Sequence, residues 1–136
     1  MRIFKNKAFA RFANKAGIGD AELCHAIRDA ERGLIAANLG GGVIKQRIAR
    51  PGQGKSGGFR TLIVLKAGAR AFFVYGFAKN EKGNIRNDEL AALRRLAIEL
   101  LAYDDAAIAR VIGSGTLMEV MCDEEAVSQP ANGFDS

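Results

Sequence analysis

The sequence predicts an α+β fold: a small antiparallel sheet, three consecutive central strands plus terminal strands, with helices packed on one face. Three observations carry this expectation. Apolar residues recur at helical spacing before Gly33 and again after Asn87. Between Val43 and Phe77 the period falls to two. The links between those period-two segments are too short for crossover helices, which favours antiparallel pairing. Runs of strands set apart from runs of helices belong to the α+β class.

Each element follows in order. Met1 to Phe4 suits a short first strand. Asn6 to Ala16 sets Phe9, Phe12 and Ala13 at helical spacing and ends near Gly17. Asp20 is a suitable N-cap for a second helix, with Ala21, Cys24, Ile27 and Arg28 following, running to Gly33 or Ala37. Gly40-Gly41-Gly42 breaks the pattern. Val43 to Ala49 reads as a strand, Lys45 and Arg47 on one face and Ile44 and Ile48 on the other. Pro51 to Gly54 is a turn, and Gly58 to Leu65 a second strand rich in β-formers. Ala67-Gly68 is a tight connection to a third strand, Arg70 to Phe77.

A polar loop, Lys79 to Asn84, precedes a helix capped by Asn87 or Asp88. Its buried stripe is Leu90, Leu93, Ala97, Leu100 and Leu101, with Arg94, Arg95 and Glu99 outward. Asp104-Asp105 caps a short helix that buries Ile108, Val111 and Ile112 and closes at Gly113, and Thr116 to Val120 suits a last strand. One domain spans residues 1–120. The remainder, 121–136, is acidic and polar, the composition of a disordered tail.

Charge is distributed unevenly. The chain has 136 residues, 49% of them hydrophobic, and a net charge of +5. All 20 Lys and Arg precede residue 119, against 10 of the 15 acids, so residues 1–118 carry a net +10. Gly33 to Asn80 contains no acid, yet holds Lys45, Arg47, Arg50, Lys55, Arg60, Lys66, Arg70 and Lys79. A one-signed strand region suits a polyanion, of which nucleic acid is the commonest. Lys66 and Arg70, flanking a turn, read as ordinary surface cations. Two cysteines, Cys24 and Cys122, lack metal-ligand spacing and read as free thiols of a reducing cytoplasm. No apolar run approaches the ~20 residues of a membrane helix. No metal or other cofactor is expected.

Chemistry centres on Lys45 to Arg60. Lys45 and Arg47 share a strand face about 7 Å apart, Lys55 sits at the turn, Arg60 returns on the next strand, and Lys79 ends the third. Such an array can hold several phosphates, lysine as a compact charge and arginine as a bidentate fork. The lone histidine, His25, lies in a helix without an evident orienting neighbour, which places it on the helix surface or in the core rather than in catalysis. Gly54-Lys55-Ser56 leads into a strand, not a helix, so it is not a nucleotide-binding loop.

Lys45-Gln46-Arg47, then Gly54-Lys55-Ser56-Gly57-Gly58-Phe59-Arg60, then Tyr75-Gly76-Phe77-Ala78-Lys79-Asn80 resemble the corresponding stretches of RelE/HigB-type toxins of bacterial toxin–antitoxin pairs. The resemblance covers Met1 to Val120 and includes the order of elements. It implies a RelE-like fold and an mRNA interferase acting on ribosome-bound messenger RNA. The attributed chemistry is attack by the ribose 2′-OH, leaving a 2′,3′-cyclic phosphate and a 5′-OH.

With no suitable histidine, the cations must act. Lys55 is the candidate base or 2′-OH-activating cation, Arg60 the stabiliser of the phosphorane, and Lys79 an aid to that phosphate or to the leaving oxygen. Lys45, Arg47 and Arg50 would bind flanking RNA, and Tyr75 and Phe77 offer rings for base stacking. Relatives often carry a tyrosine or histidine near the C-terminal end, where this chain has only Phe134 and acids. The implied partners are mRNA, the ribosome and a cognate antitoxin of helix-turn-helix type. The alternative is a non-catalytic module that binds RNA or a partner, either a degenerate toxin or a ParE-like gyrase inhibitor.

Overall fold

The structure, a computed structural model, describes residues 1–50 and 54–122, and of residues 54–57 the backbone alone. The element order is β1 (Arg2–Asn6), α1 (Lys7–Ala16), α2 (Asp20–Glu31), β2 (Ala37–Gly40), β3 (Val43–Arg50), β4 (Gly54–Lys66), β5 (Arg70–Ala78), α3 (Asn87–Ala102), α4 (Asp105–Gly113) and β6 (Leu117–Val120). The strands form one sheet in the order β2-β3-β4-β5-β1-β6. β1 runs parallel to β5, and every other pairing is antiparallel. The parallel pairing places the two consecutive helices α1 and α2 between β1 and the hairpins that follow.

The α+β class and the three central strands match the sequence expectation, but the helices do not share one face. α1 and α2 cover one side, where Phe9, Ala13, Leu23 and Ile27 pack with Ile3, Ile44, Ile48, Phe59, Ile63 and Phe73. α3 and α4 cover the other, where Ala97, Leu100 and Ile108 pack with Phe4, Val43, Leu62, Val64, Phe72 and Val74. A strand buried on both sides must be apolar at successive positions, as in Leu62-Ile63-Val64 and Ala71-Phe72-Phe73-Val74. With both faces covered, no face of the sheet is left bare to carry the basic side chains.

Local chemistry sets the boundaries. Asn6 caps α1 by accepting the Phe9 amide at 2.8 Å, and Asp104 caps α4 through the Ala107 amide at 2.8 Å. α2 is capped from Gly19 rather than Asp20, and α3 from Arg86 rather than Asn87 or Asp88. In both, a glutamate three residues on, Glu22 or Glu89, accepts the cap residue's own amide. Asp20 instead receives Lys5 Nζ at 3.3 Å and the Met121 amide at 3.0 Å. The expected extension of α2 to Gly33 or Ala37 is replaced by β2, which hairpins onto β3 through Gly41 and Gly42. Both glycines have positive φ, 65° and 85°, as a two-residue hairpin turn requires. Arg94, expected to point outward, holds this hairpin through Leu39 O, Nε donating at 3.1 Å.

Two further differences concern the ends of the chain. Cys24 and Cys122 are not free thiols: they form a disulfide across 98 residues of sequence. The Met121–Asp20 hydrogen bond brings the end of β6 to the first residue of α2, one turn before Cys24, a juxtaposition that separation in sequence conceals. The reducing compartment read from two free thiols loses that support. Among the described residues, no helix is long and apolar enough to cross a membrane. The expectations for the Pro51–Gln53 turn and for the acidic segment from Asp123 fall outside the described residues.

Candidate functional site

The site is built on the α3-facing side of β3, β4 and β5. Val43 on β3 and Leu62 on β4 belong to the core under α3. Alternation therefore carries Lys45 and Arg47, and likewise Arg60, along that same face beyond the packed core. Register turns this into rungs. Arg47 lies directly across from Arg60, and Arg60 across from Phe77. The next rung is Lys45, Leu62 and Tyr75. The two rungs are two residues apart, about 7 Å along the strands. A register shift between Leu62 and Ile63 leaves Val74 as an extra residue in β5, so Val74 and Tyr75 both turn to the α3 side.

Arg60 is the unusual member. It is 6% exposed. Burial, and then the Arg47 charge, push its guanidinium pKa below the ordinary arginine value. Like charges directly opposite across a ladder destabilise a sheet. Strand pairing on both sides fixes where the Arg60 side chain starts.

A second cluster borders the Phe77 and Tyr75 ends of the rungs. Glu89, in the first turn of α3, receives Lys82 Nζ at 2.5 and 2.6 Å, the Tyr75 hydroxyl at 2.9 Å and the Arg86 amide at 2.8 Å. Lys82 Nζ also donates to the Tyr75 oxygen at 3.0 Å. It lies 5.4 Å from the centroid of the Tyr75 ring and 5.9 Å from that of Phe77. With three donors around it, Lys82 first, the Glu89 carboxyl pKa is held down to about 2, and Glu89 in turn raises that of Lys82. Asn84, in the same loop, accepts Lys45 Nζ at 3.4 Å. The β5–α3 loop is thus fastened to both ends of the Lys45 rung.

Of the residues singled out from sequence, Lys45, Arg47, Arg60, Tyr75 and Phe77 meet on this face. Phe77 is buried in the core under α3, and the Tyr75 hydroxyl is engaged by Glu89 and Lys82. Lys79 is exposed in the turn after β5, its amide donating to Gly58 O at 3.2 Å. The Lys55 side chain lies outside the described residues, though its backbone belongs to β4. Arg50 parts from the group: past a register shift in β3 its guanidinium stacks over Phe59, at 4.8 Å, on the α1 side of the sheet. Arg70 holds the α3–α4 junction, with Nη1 donating to Tyr103 O at 2.6 Å and an ion pair to Asp105. His25 is on the surface of α2, its Nε2 3.8 Å from Asp29. With Glu22, Arg28, Ala49 and Arg47 it lines a groove of about 440 Å³ along β3.

Lys82 and Glu89 escaped the sequence reading. Glu89 had a signal, a glutamate at the third position of a helix whose cap is Arg86. Lys82 had none beyond membership of a polar loop.

Compared with protein-family models, residues 1–120 match the family described as the RelE toxin of the RelE / RelB toxin–antitoxin system. No curated protein matches the chain.

Proposed function

Because the chain belongs to the RelE toxin family, and so is the toxin of a toxin–antitoxin pair with an antitoxin as its partner, we propose that it is an endoribonuclease that cuts messenger RNA on the ribosome. The observation that carries this reading is the Arg47–Arg60 rung: two arginines directly opposite, one of them buried. Two guanidinium groups side by side on one face suit an anion that both can hold.

The reaction follows from what these groups supply. The ribose 2′-oxygen forms a bond to phosphorus, the phosphorus–O5′ bond breaks, and the products carry a 2′,3′-cyclic phosphate and a 5′-OH. The 2′-OH proton passes to a base, for which Lys55 is the candidate, and the departing O5′ takes up a proton. Arg60, preorganised and shielded from water, stabilises the charge that accumulates on the phosphorane oxygens. A guanidinium keeps its proton there and offers a planar fork to two of those oxygens. Arg47 and Lys45 hold flanking phosphates, and Lys79, at the end of β5, serves the scissile phosphate or the leaving oxygen. The antitoxin, of helix-turn-helix type, restrains this activity in the cytoplasm.

Induced expression of wild type and Arg60→Ala in cells, with mapping of mRNA 5′ ends, tests the reading. Wild type should arrest growth and generate new ends in phase with codons, and Arg60→Ala should do neither. Growth arrest without new ends would favour a gyrase-type target instead.

A further inference from the structure

The rung adjoining Arg47–Arg60–Phe77 is Lys45–Leu62–Tyr75, which holds one cation in its own strands, at the β3 end. Its β5 end is capped by a second, Lys82, whose ammonium bonds the Tyr75 hydroxyl at 3.0 Å and lies over the Tyr75 and Phe77 rings. We propose that Lys82 and Lys45 form a second cationic rung that takes the RNA phosphate next to the one at Arg60, with Glu89 as the positioning residue for Lys82. The proposal rests on the RNA reading above and specifies how the same face receives the strand.

Several observations converge. The rungs are about 7 Å apart, a step comparable to that between successive phosphates of an extended single strand. Both ends of the second rung are tied to one loop, Lys45 through Asn84 and Tyr75 through Lys82. A free lysine side chain disperses its charge over many rotamers, and ordering one opposes binding. Here that ordering is done in advance by Glu89 and Tyr75, which take the three Nζ–H donors, so a phosphate meets a charge already in place and exchanges for the Tyr75 oxygen alone. The Lys82 side chain keeps 23% of its surface in solvent, enough to meet a ligand. The charges of Glu89 and Asp88 do not reverse the sign of the patch, because Lys82, Arg86 and Lys45 stand against these two.

The test uses the full chain and a short single-stranded RNA whose 2′-hydroxyls are methylated, so that binding is measured without cleavage. Dissociation constants are followed against salt for wild type, Lys82→Gln, Lys82→Arg and Glu89→Gln, and cleavage of ribosome-bound mRNA is timed for each. Loss of one phosphate contact should flatten the log–log salt dependence of Lys82→Gln by about 0.7, the value for one single-strand contact. Lys82→Arg should keep the wild-type slope. Glu89→Gln should keep the wild-type salt slope, since Lys82 stays charged, yet bind several-fold more weakly and cleave at least ten times more slowly, since Lys82 is no longer held in place. A purely structural role would lower thermal stability and leave the Lys82→Gln slope unchanged, and that unchanged slope overturns the proposal. Undiminished cleavage by Glu89→Gln would overturn its positioning role. Wild type that binds with the full slope but never cleaves would refute the endonuclease reading alone. Wild type that fails to bind would refute both.

Discussion

At the scale of single residues, the cost of the site is visible in stability. Arg47 is exposed and faces Arg60 across the ladder. Arg47→Gln should therefore raise stability by up to about 1 kcal/mol in urea unfolding, while weakening RNA binding. Glu89 predicts a pH effect of definite sign. Its carboxyl pKa is about 2 in the fold against 4.5 for the free group, so the unfolded chain binds more protons between those values. Its contribution is complete above pH 4.5 and is lost as pH falls through about 2. Acid unfolding should show wild type losing stability across that window, and Glu89→Gln should lose visibly less. Residue types were legible in the sequence, since Lys45, Arg47 and Arg60 stood out by charge and alternation. Their partners were not. Lys82 meets Tyr75 only because β5 gains Val74 as an extra residue and α3 returns Glu89 to the end of the strand, and neither event has a local sequence signal.

At the scale of elements, the central hairpins were legible because period-two patterning and glycine turns are local. β2 was not. Ala37-Asn38-Leu39-Gly40 has no β-branched or aromatic residue, and only pairing with β3 and the Arg94 hydrogen bond to Leu39 O make it a strand. Helices on both faces were foreshadowed by the consecutive apolar residues of β4 and β5, which a sheet with one bare face would not tolerate. Packing between elements is close enough to make firm predictions. A side chain at Gly76 would place its Cβ 2.4 Å from the Phe12 ring, so α1 lies on β5 with no space to spare. Gly76→Ala should cost about 1–3 kcal/mol, read as a lowered urea midpoint. Gln46 joins β3 to α2 by donating its amide to Ala26 O at 3.0 Å and Leu34 O at 2.8 Å. Gln46→Leu removes both bonds, each contributing about 0.5–1.5 kcal/mol, so its unfolding midpoint should also fall.

At the scale of the whole molecule, the described residues are closed by contacts between the first strand and the last and by one cross-link. β6 lies beside β1, Arg2 grips Glu119 with two bonds of 2.9 Å, and Cys122 joins Cys24. Cross-linking restricts the unfolded chain most when the enclosed loop is long, and typical bridges contribute about 2–4 kcal/mol. Cys24→Ser with Cys122→Ser should lower stability by an amount in that range, and reductant should do the same to wild type but not to the double variant. Nothing in the spacing of two cysteines 98 residues apart could have paired them. The central claim is that the Arg47–Arg60 rung holds messenger RNA for cutting. Its most direct test is to incubate purified protein with ribosomes programmed with end-labelled mRNA and to identify the new termini. Wild type should yield fragments ending in a 2′,3′-cyclic phosphate and beginning with a 5′-OH, and Arg60→Ala should leave the message whole. Intact mRNA with folded wild type, or equal cleavage by Arg60→Ala, would contradict it.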